Sequence, residues 1–153
     1  MQLGVALRAR SWRLVTAESC TGGLLAAACT SVAGSSDWFD RGFVTYSYES
    51  KTELLDVPAA LIAQHGAVSA EVALAMAEGA LRRARADIAL SVTGIAGPGG
   101  AVPGKPVGTV WMGLVLPGRP ARAERLQFSG DRAAVRGQTV RHALQQLIDA
   151  SAA

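Results

Sequence analysis

The segment TAESCTGG (16–23) places a glutamate, two hydroxyls, a thiol and two glycines between an apolar run and the run LLAAAC. On residue type alone Glu18, Ser19, Cys20 and Thr21 are equal candidates for chemistry. A helix beginning beside them would aim backbone N–H groups at an oxyanion or a phosphate. Gly22 and Gly23 would let a ligand approach the backbone closely, with Thr21 beside them. The same pattern also reads as an ordinary helix cap on Ser19 or Thr21. It is neither a P-loop, since GxxxxGK is missing, nor a G-x-S-x-G elbow.

The supply of bases narrows the chemistry. The fifteen basic side chains are thirteen arginines and two lysines. Arginine stays protonated in proteins, so a nitrogen base must be Lys51, Lys105, His65, His142 or the terminal amine. In YSYESK (46–51) a lysine buried beside a serine can lose its proton near neutral pH and activate the hydroxyl, as in Ser-Lys hydrolases. The alternative for Lys51 is a solvated position on a helix. Cys20 could instead pair with His65, although a buried apolar thiol is the commoner fate of such a cysteine.

Two further segments could bind a ligand. TGIAGPGG (93–100) follows an apolar run and opens a loop of about thirteen residues, a length that in a compact domain is usually functional. In SGDR (129–132), Arg132 could form a bidentate pair with a phosphate or carboxylate, or with a neighbouring acid of the protein itself. The carboxylates show no HExxH or DxD pattern, so no protein-held metal is expected.

The elements that must position these residues follow from the apolar pattern. Segments 14–16, 43–48, 86–93, 107–116 and 122–128 read as strands. Helices are expected over 21–32, over 58–64, after a Ser69 cap, and after an Asp131 cap, where Val140, Ala143, Leu144, Leu147 and Ile148 keep one face apolar. Strands alternating with helices imply an α/β fold: a three-layer α/β/α sandwich around a mixed, mostly parallel sheet of about five strands. The link 93–107 is too short for a crossover helix, so its two strands are expected to be antiparallel. In such sheets ligands collect beyond the carboxyl ends of the parallel strands. TAESCTGG, the segment after Tyr46 and TGIAGPGG all fall there.

Composition bounds the rest. Half of the 153 residues are hydrophobic and 18% are charged, as expected of one folded domain spanning 1–153. No apolar run reaches the roughly 18 residues of a membrane span, and the first residues lack a secretory h-region, so a cytoplasmic protein is expected. A net charge of +3 spread over dispersed arginines, with 5% aromatic residues, argues against nucleic-acid binding. Cys20 and Cys29 match no metal or disulfide framework. The apolar composition and modest size suggest a homo-oligomer.

Taken in order, TAESCTGG, AGSSDWFDRGFVTYSYESK, QHGAVS, VTGIAGPGG, KPVGTVW and FSGDR closely resemble the CinA-type C-terminal domain (competence/damage-inducible protein) over about residues 12–147, and more specifically its stand-alone nicotinamide-nucleotide amidases. The resemblance implies hydrolysis of the carboxamide of nicotinamide mononucleotide to nicotinate mononucleotide and ammonia, without metal or cofactor. It implies Ser19 as nucleophile and Lys51 as its partner, with Ser36, Tyr46, Thr93 and Arg132 at further active-site positions. The segments Thr21–Gly23 and Gly94–Ala96–Gly97, with Arg132, would then contact substrate, the glycine loop 94–100 and Arg132 holding the ribose phosphate. The loop GPGGAVPGKP departs from relatives, which commonly carry an acidic residue there. The N-terminal domain of full-length CinA proteins has no counterpart in these 153 residues. A regulatory module that binds a nucleotide without turnover is the alternative.

Overall fold

The computed structural model describes residues 2–152. Five strands form one sheet in the order β2-β1-β3-β4-β5: β1 Leu14–Glu18, β2 Phe39–Val44, β3 Ile88–Gly94, β4 Thr109–Val115 and β5 Arg122–Gln127. β1 pairs parallel with β2 and β3, while β3–β4 and β4–β5 are antiparallel. Only β4 therefore runs against the rest. The expected mixed sheet and the antiparallel 93–107 connection are both borne out.

Helices cover both faces. α1 (Gln2–Ala9), α2 (Leu24–Thr30) and α6 (Arg132–Ala152) lie on one side, and α3 (Tyr48–Leu55), α4 (Ala59–His65) and α5 (Ala70–Arg82) on the other. The strand period of two divides the core between these layers. Leu14 and, from β3, Ile88, Leu90 and Val92 join Leu3, Leu25, Trp38 and Leu147. Val15, Ala17 and Ala89 join Leu55, Val72 and Met76. Ser69 caps α5 by accepting the Val72 N–H, and Asp131 accepts the Ala134 N–H at the start of α6, as their residue types predict.

Two expectations on the elements need correction, and one helix was not anticipated. The second strand occupies 39–44 rather than 43–48, because Ser47 is the N-cap of α3, accepting the Ser50 N–H at 3.1 Å. Cap chemistry overrides the aromatic, β-branched pattern of FVTYSY. α2 begins at Leu24 rather than Thr21, since Gly22 (φ 58°) and Gly23 (φ 101°) adopt left-handed backbone that a helix cannot contain. α1 had no counterpart in the sequence reading; it buries Leu3 and Leu7 beside Trp38 and packs on α6.

Chain order around β1 creates the place for a site. The β1–β2 connection passes through α2 on one face, and the β2–β3 connection passes through α3, α4 and α5 on the other. β1 is thus the switch point of the parallel strands, where the connections diverge and leave a crevice beyond its carboxyl end.

Candidate active site

Ser19 is the first residue after β1 and continues the ladder, donating its N–H to the Val92 carbonyl at 3.0 Å. Alternation along the strand then assigns separate tasks to neighbours. Glu18 faces α2, whereas Ser19 faces the layer containing α3. There Lys51, on the first turns of α3, brings Nζ within 3.0 Å of Ser19 Oγ. The lysine is wholly buried, and its Nζ also donates to the carbonyls of Thr45 (2.6 Å) and Tyr46 (3.3 Å).

Burial of Lys51 disfavours its charged form and pushes its pKa down from 10.5 to about 8; a weaker coupling to the Cys20 thiol acts the other way. A neutral amine has two hydrogens and one lone pair. With the two carbonyls holding the hydrogens, the lone pair is left for the Ser19 hydroxyl proton. This arrangement can deprotonate an alcohol near neutral pH.

The turn carrying Ser19 is held from both sides. The buried Glu18 carboxylate accepts the Thr21 hydroxyl (2.6 Å) and the Leu25 and Ala26 N–H groups (both 2.9 Å), so it satisfies the first turn of α2 itself. Arg136 of α6 donates Nε to the Cys20 carbonyl at 3.1 Å and a terminal nitrogen to the Thr21 carbonyl at 3.2 Å. Gly22 donates its N–H to the Ser19 carbonyl. Among the described residues the amides of Cys20, Thr21 and Gly23 donate to no backbone carbonyl, so the spare donors belong to the turn rather than to the helix start.

Ser19 and Lys51 open into a cleft of about 400 Å³. Of the other residues singled out from sequence, Tyr46, Thr93, Gly94, Ala96 and Arg132 line it. Thr93, buried at the end of β3, donates its hydroxyl to the Ala67 carbonyl at 2.9 Å, which leaves its oxygen as an acceptor toward the cleft. Arg132 spans the rim, donating to the Gly97 carbonyl at 2.9 Å and to the Tyr46 hydroxyl at 3.2 Å.

Other expected residues lie elsewhere. Ser36 is exposed on a single 3-10 turn preceding β2, and the register Leu14↔Phe39 puts that turn at the amino ends of the strands, opposite Ser19. Thr21, Gly22 and Gly23 shape the turn and do not line the cleft, and Gly97 reaches it only through its carbonyl to Arg132. His65 lies 3.6 Å from Glu71, and His142 contacts Glu124; neither lines the cleft. Cys20 does line it, but burial pushes its thiol up to about 11, so thiolate is scarce at neutral pH.

Sequence reasoning did not place Tyr48, the segment 66–68, Val102 or Lys105 in this cleft, nor assign Arg136 to the nucleophile turn. Lys105 had a signal, being one of only two lysines. Arg136 had none, since 116 residues separate it from the carbonyl it binds.

Comparison with known proteins identifies the family. A family model described as "CinA C-terminal domain" matches residues 1–151. The nicotinamide-nucleotide amidohydrolase PncC of Escherichia coli (strain K12) is 53% identical over 95% of the chain and 88% of its own length. A CinA-like protein of Citrifermentans bemidjiense is 58% identical, but the chain spans only 35% of that longer protein. Among solved structures, a CinA superfamily protein from Klebsiella pneumoniae 700603 superposes with a TM-score of 0.94 at 44% identity, covering 99% of this chain and 94% of that one. The competence/damage-inducible protein CihA of Agrobacterium tumefaciens gives 0.90 at 42% identity, covering 97% and 94%. On the extent of the matched model and the identity of these relatives, the chain belongs to the CinA C-terminal domain family.

Proposed function

We propose that the chain is a nicotinamide-nucleotide amidase, hydrolysing the carboxamide of nicotinamide mononucleotide to nicotinate mononucleotide and ammonia by a Ser-Lys mechanism. The observation that carries this reading is the buried Lys51 Nζ at 3.0 Å from Ser19 Oγ. It stands in a cleft lined, among the described residues, by the cations Lys105 and Arg132 and by no carboxylate. A serine–lysine pair suits acyl transfer, and a cleft lined by cations without a carboxylate suits a substrate bearing phosphate. The relatives named as nicotinamide-nucleotide amidohydrolases cover nearly the whole chain.

In this mechanism neutral Lys51 takes the Ser19 hydroxyl proton as Oγ bonds to the carboxamide carbon. The N–H of Cys20, the turn residue that lines the cleft beside Ser19, stabilises the resulting oxyanion, and Thr93, its own proton held by Ala67, accepts from the carboxamide nitrogen. The Lys51 ammonium then protonates that nitrogen, the C–N bond breaks, and ammonia leaves an ester on Ser19. Water attacks the ester while Lys51 takes its proton, and returning that proton to Oγ frees the acid. Tyr46 and Arg132 frame the mouth of the cleft. Ser36 has no part in this scheme.

The cytoplasmic setting belongs to the same reading and is supported by two free, buried cysteines. Among the described residues no helix is long and apolar enough to cross a membrane. The test of the function is ammonia release from nicotinamide mononucleotide by the purified chain treated with chelator. Steady release supports it, and tight binding of the nucleotide without product over hours would favour the regulatory alternative.

A further inference from the structure

Lys105 carries no role in the chemistry above, yet it is among the most firmly placed side chains at the cleft. Residues 102–105 form a tight turn closed by reciprocal backbone hydrogen bonds between Val102 and Lys105 (3.1 and 2.9 Å). Pro103 and Gly104, the latter at φ 78°, occupy the central positions that a type II turn assigns to proline and glycine. Arg125 of β5 braces the turn by donating to the Gly104 carbonyl at 2.6 Å. The ammonium is tethered in turn, donating to the His65 carbonyl at the end of α4 at 2.7 Å. Gly66 leaves room for it, since a Cβ there would stand 3.1 Å from Nζ.

One tether uses one of the three ammonium hydrogens. Among the described residues Lys105 pairs with no carboxylate, although its side chain is half-buried. Arg132, the other cation near the mouth, is exposed and already bridges Gly97 and Tyr46. A preorganised, half-buried cation with unused donors and no internal counterion is suited to a ligand anion, because its own solvation has been partly surrendered and only an anion restores it.

We infer that Lys105 is a specificity-determining residue that binds the phosphate of the substrate, so that the enzyme selects a phosphorylated carboxamide nucleotide over its nucleoside. This rests on the amidase reading and adds the residue that enforces the phosphate requirement. Charge-assisted hydrogen bonds of this kind correspond to roughly 10- to 100-fold in binding.

The experiment compares Lys105→Met and Lys105→Arg with the wild type on nicotinamide mononucleotide and on nicotinamide riboside, which lacks the phosphate. Lys105→Met should lose roughly 10- to 100-fold in kcat/KM on the mononucleotide, mainly through KM, while its riboside value stays within about twofold. Lys105→Arg should recover part of the loss. Equal losses on both substrates would mean that Lys105 only holds the loop, and no loss on the mononucleotide would mean that phosphate binds elsewhere. Either result overturns the inference. If the wild type turns over neither substrate, the amidase reading falls, and calorimetric binding of ribose 5-phosphate still decides the assignment. Weaker binding to Lys105→Met supports it, and unchanged binding overturns it.

Discussion

The titration of Lys51 links the proposed chemistry to the burial that makes it possible. With its pKa lowered from 10.5 to about 8, the amine is neutral in about a tenth of molecules at pH 7. At an undisturbed pKa the neutral fraction would be about 300-fold smaller. Activity that requires the neutral amine should therefore rise about tenfold in kcat/KM from pH 7 to pH 9, as a single proton leaves with a midpoint near 8. The same proton appears in stability. Below pH 8 Lys51 is charged both folded and unfolded, and the folded state bears the whole cost of burying that charge. Between 8 and 10.5 the folded protein has released the proton while the unfolded chain keeps it, so stability rises with pH, and above 10.5 the cost is gone. The gap between 10.5 and about 8 corresponds to about 3 kcal/mol. Urea unfolding of the wild type and Lys51→Met from pH 7 to 10.5 isolates this contribution, as background titrations largely cancel in the difference. The wild type should gain about 3 kcal/mol on the variant across that range. A kcat/KM flat between pH 6.5 and 9.5, or a stability difference independent of pH, would refute the assignment of Lys51 as a buried base.

Three further outcomes follow from the same geometry. Ser19→Ala should lower kcat by at least about 10³-fold with the urea midpoint preserved, since it removes the nucleophile and little packing; comparable turnover in the variant would move the nucleophile elsewhere. Iodoacetamide at pH 7 should leave ammonia release intact over an hour, because burial holds the Cys20 thiol at a pKa of about 11; rapid inactivation tracking modification of Cys20 would restore the thiol reading. Glu18→Gln should destabilise the protein by about 1–3 kcal/mol in urea unfolding, as an amide N–H₂ replaces one carboxylate oxygen, either the acceptor of Thr21 and Leu25 or that of Ala26; an unchanged midpoint would show that the carboxylate is dispensable as a cap.

Much of this architecture was legible from local pattern. The buried strand after Ala86, the antiparallel return before Val107, the caps at Ser69 and Asp131 and the apolar stripe of the last helix all express short-range chemistry that period and residue type reveal. Errors came where one local signal concealed another. Ser47 ends the strand by capping α3, and β2 is a half-exposed edge whose FDRGFV carries too little apolar alternation to announce itself. Ser36, assigned on resemblance alone, illustrates the limit, since a motif gives order along the chain and not the end of the sheet at which a turn will lie.

Composition, periodicity and punctuation, all properties of the chain, were enough for the fold class and the shortage of bases that made Lys51 a candidate, while Ser19 was singled out from Glu18, Cys20 and Thr21 only by resemblance to a family. Only tertiary structure decided that Glu18 and Ser19 serve opposite faces, that Lys51 is buried at 3.0 Å from a hydroxyl 32 residues away, and that Lys105 and Arg136 converge on the same region. The physical reason is that a pKa depends on desolvation and a hydrogen bond on distance, and both are set where the β1 switch point brings separate segments together.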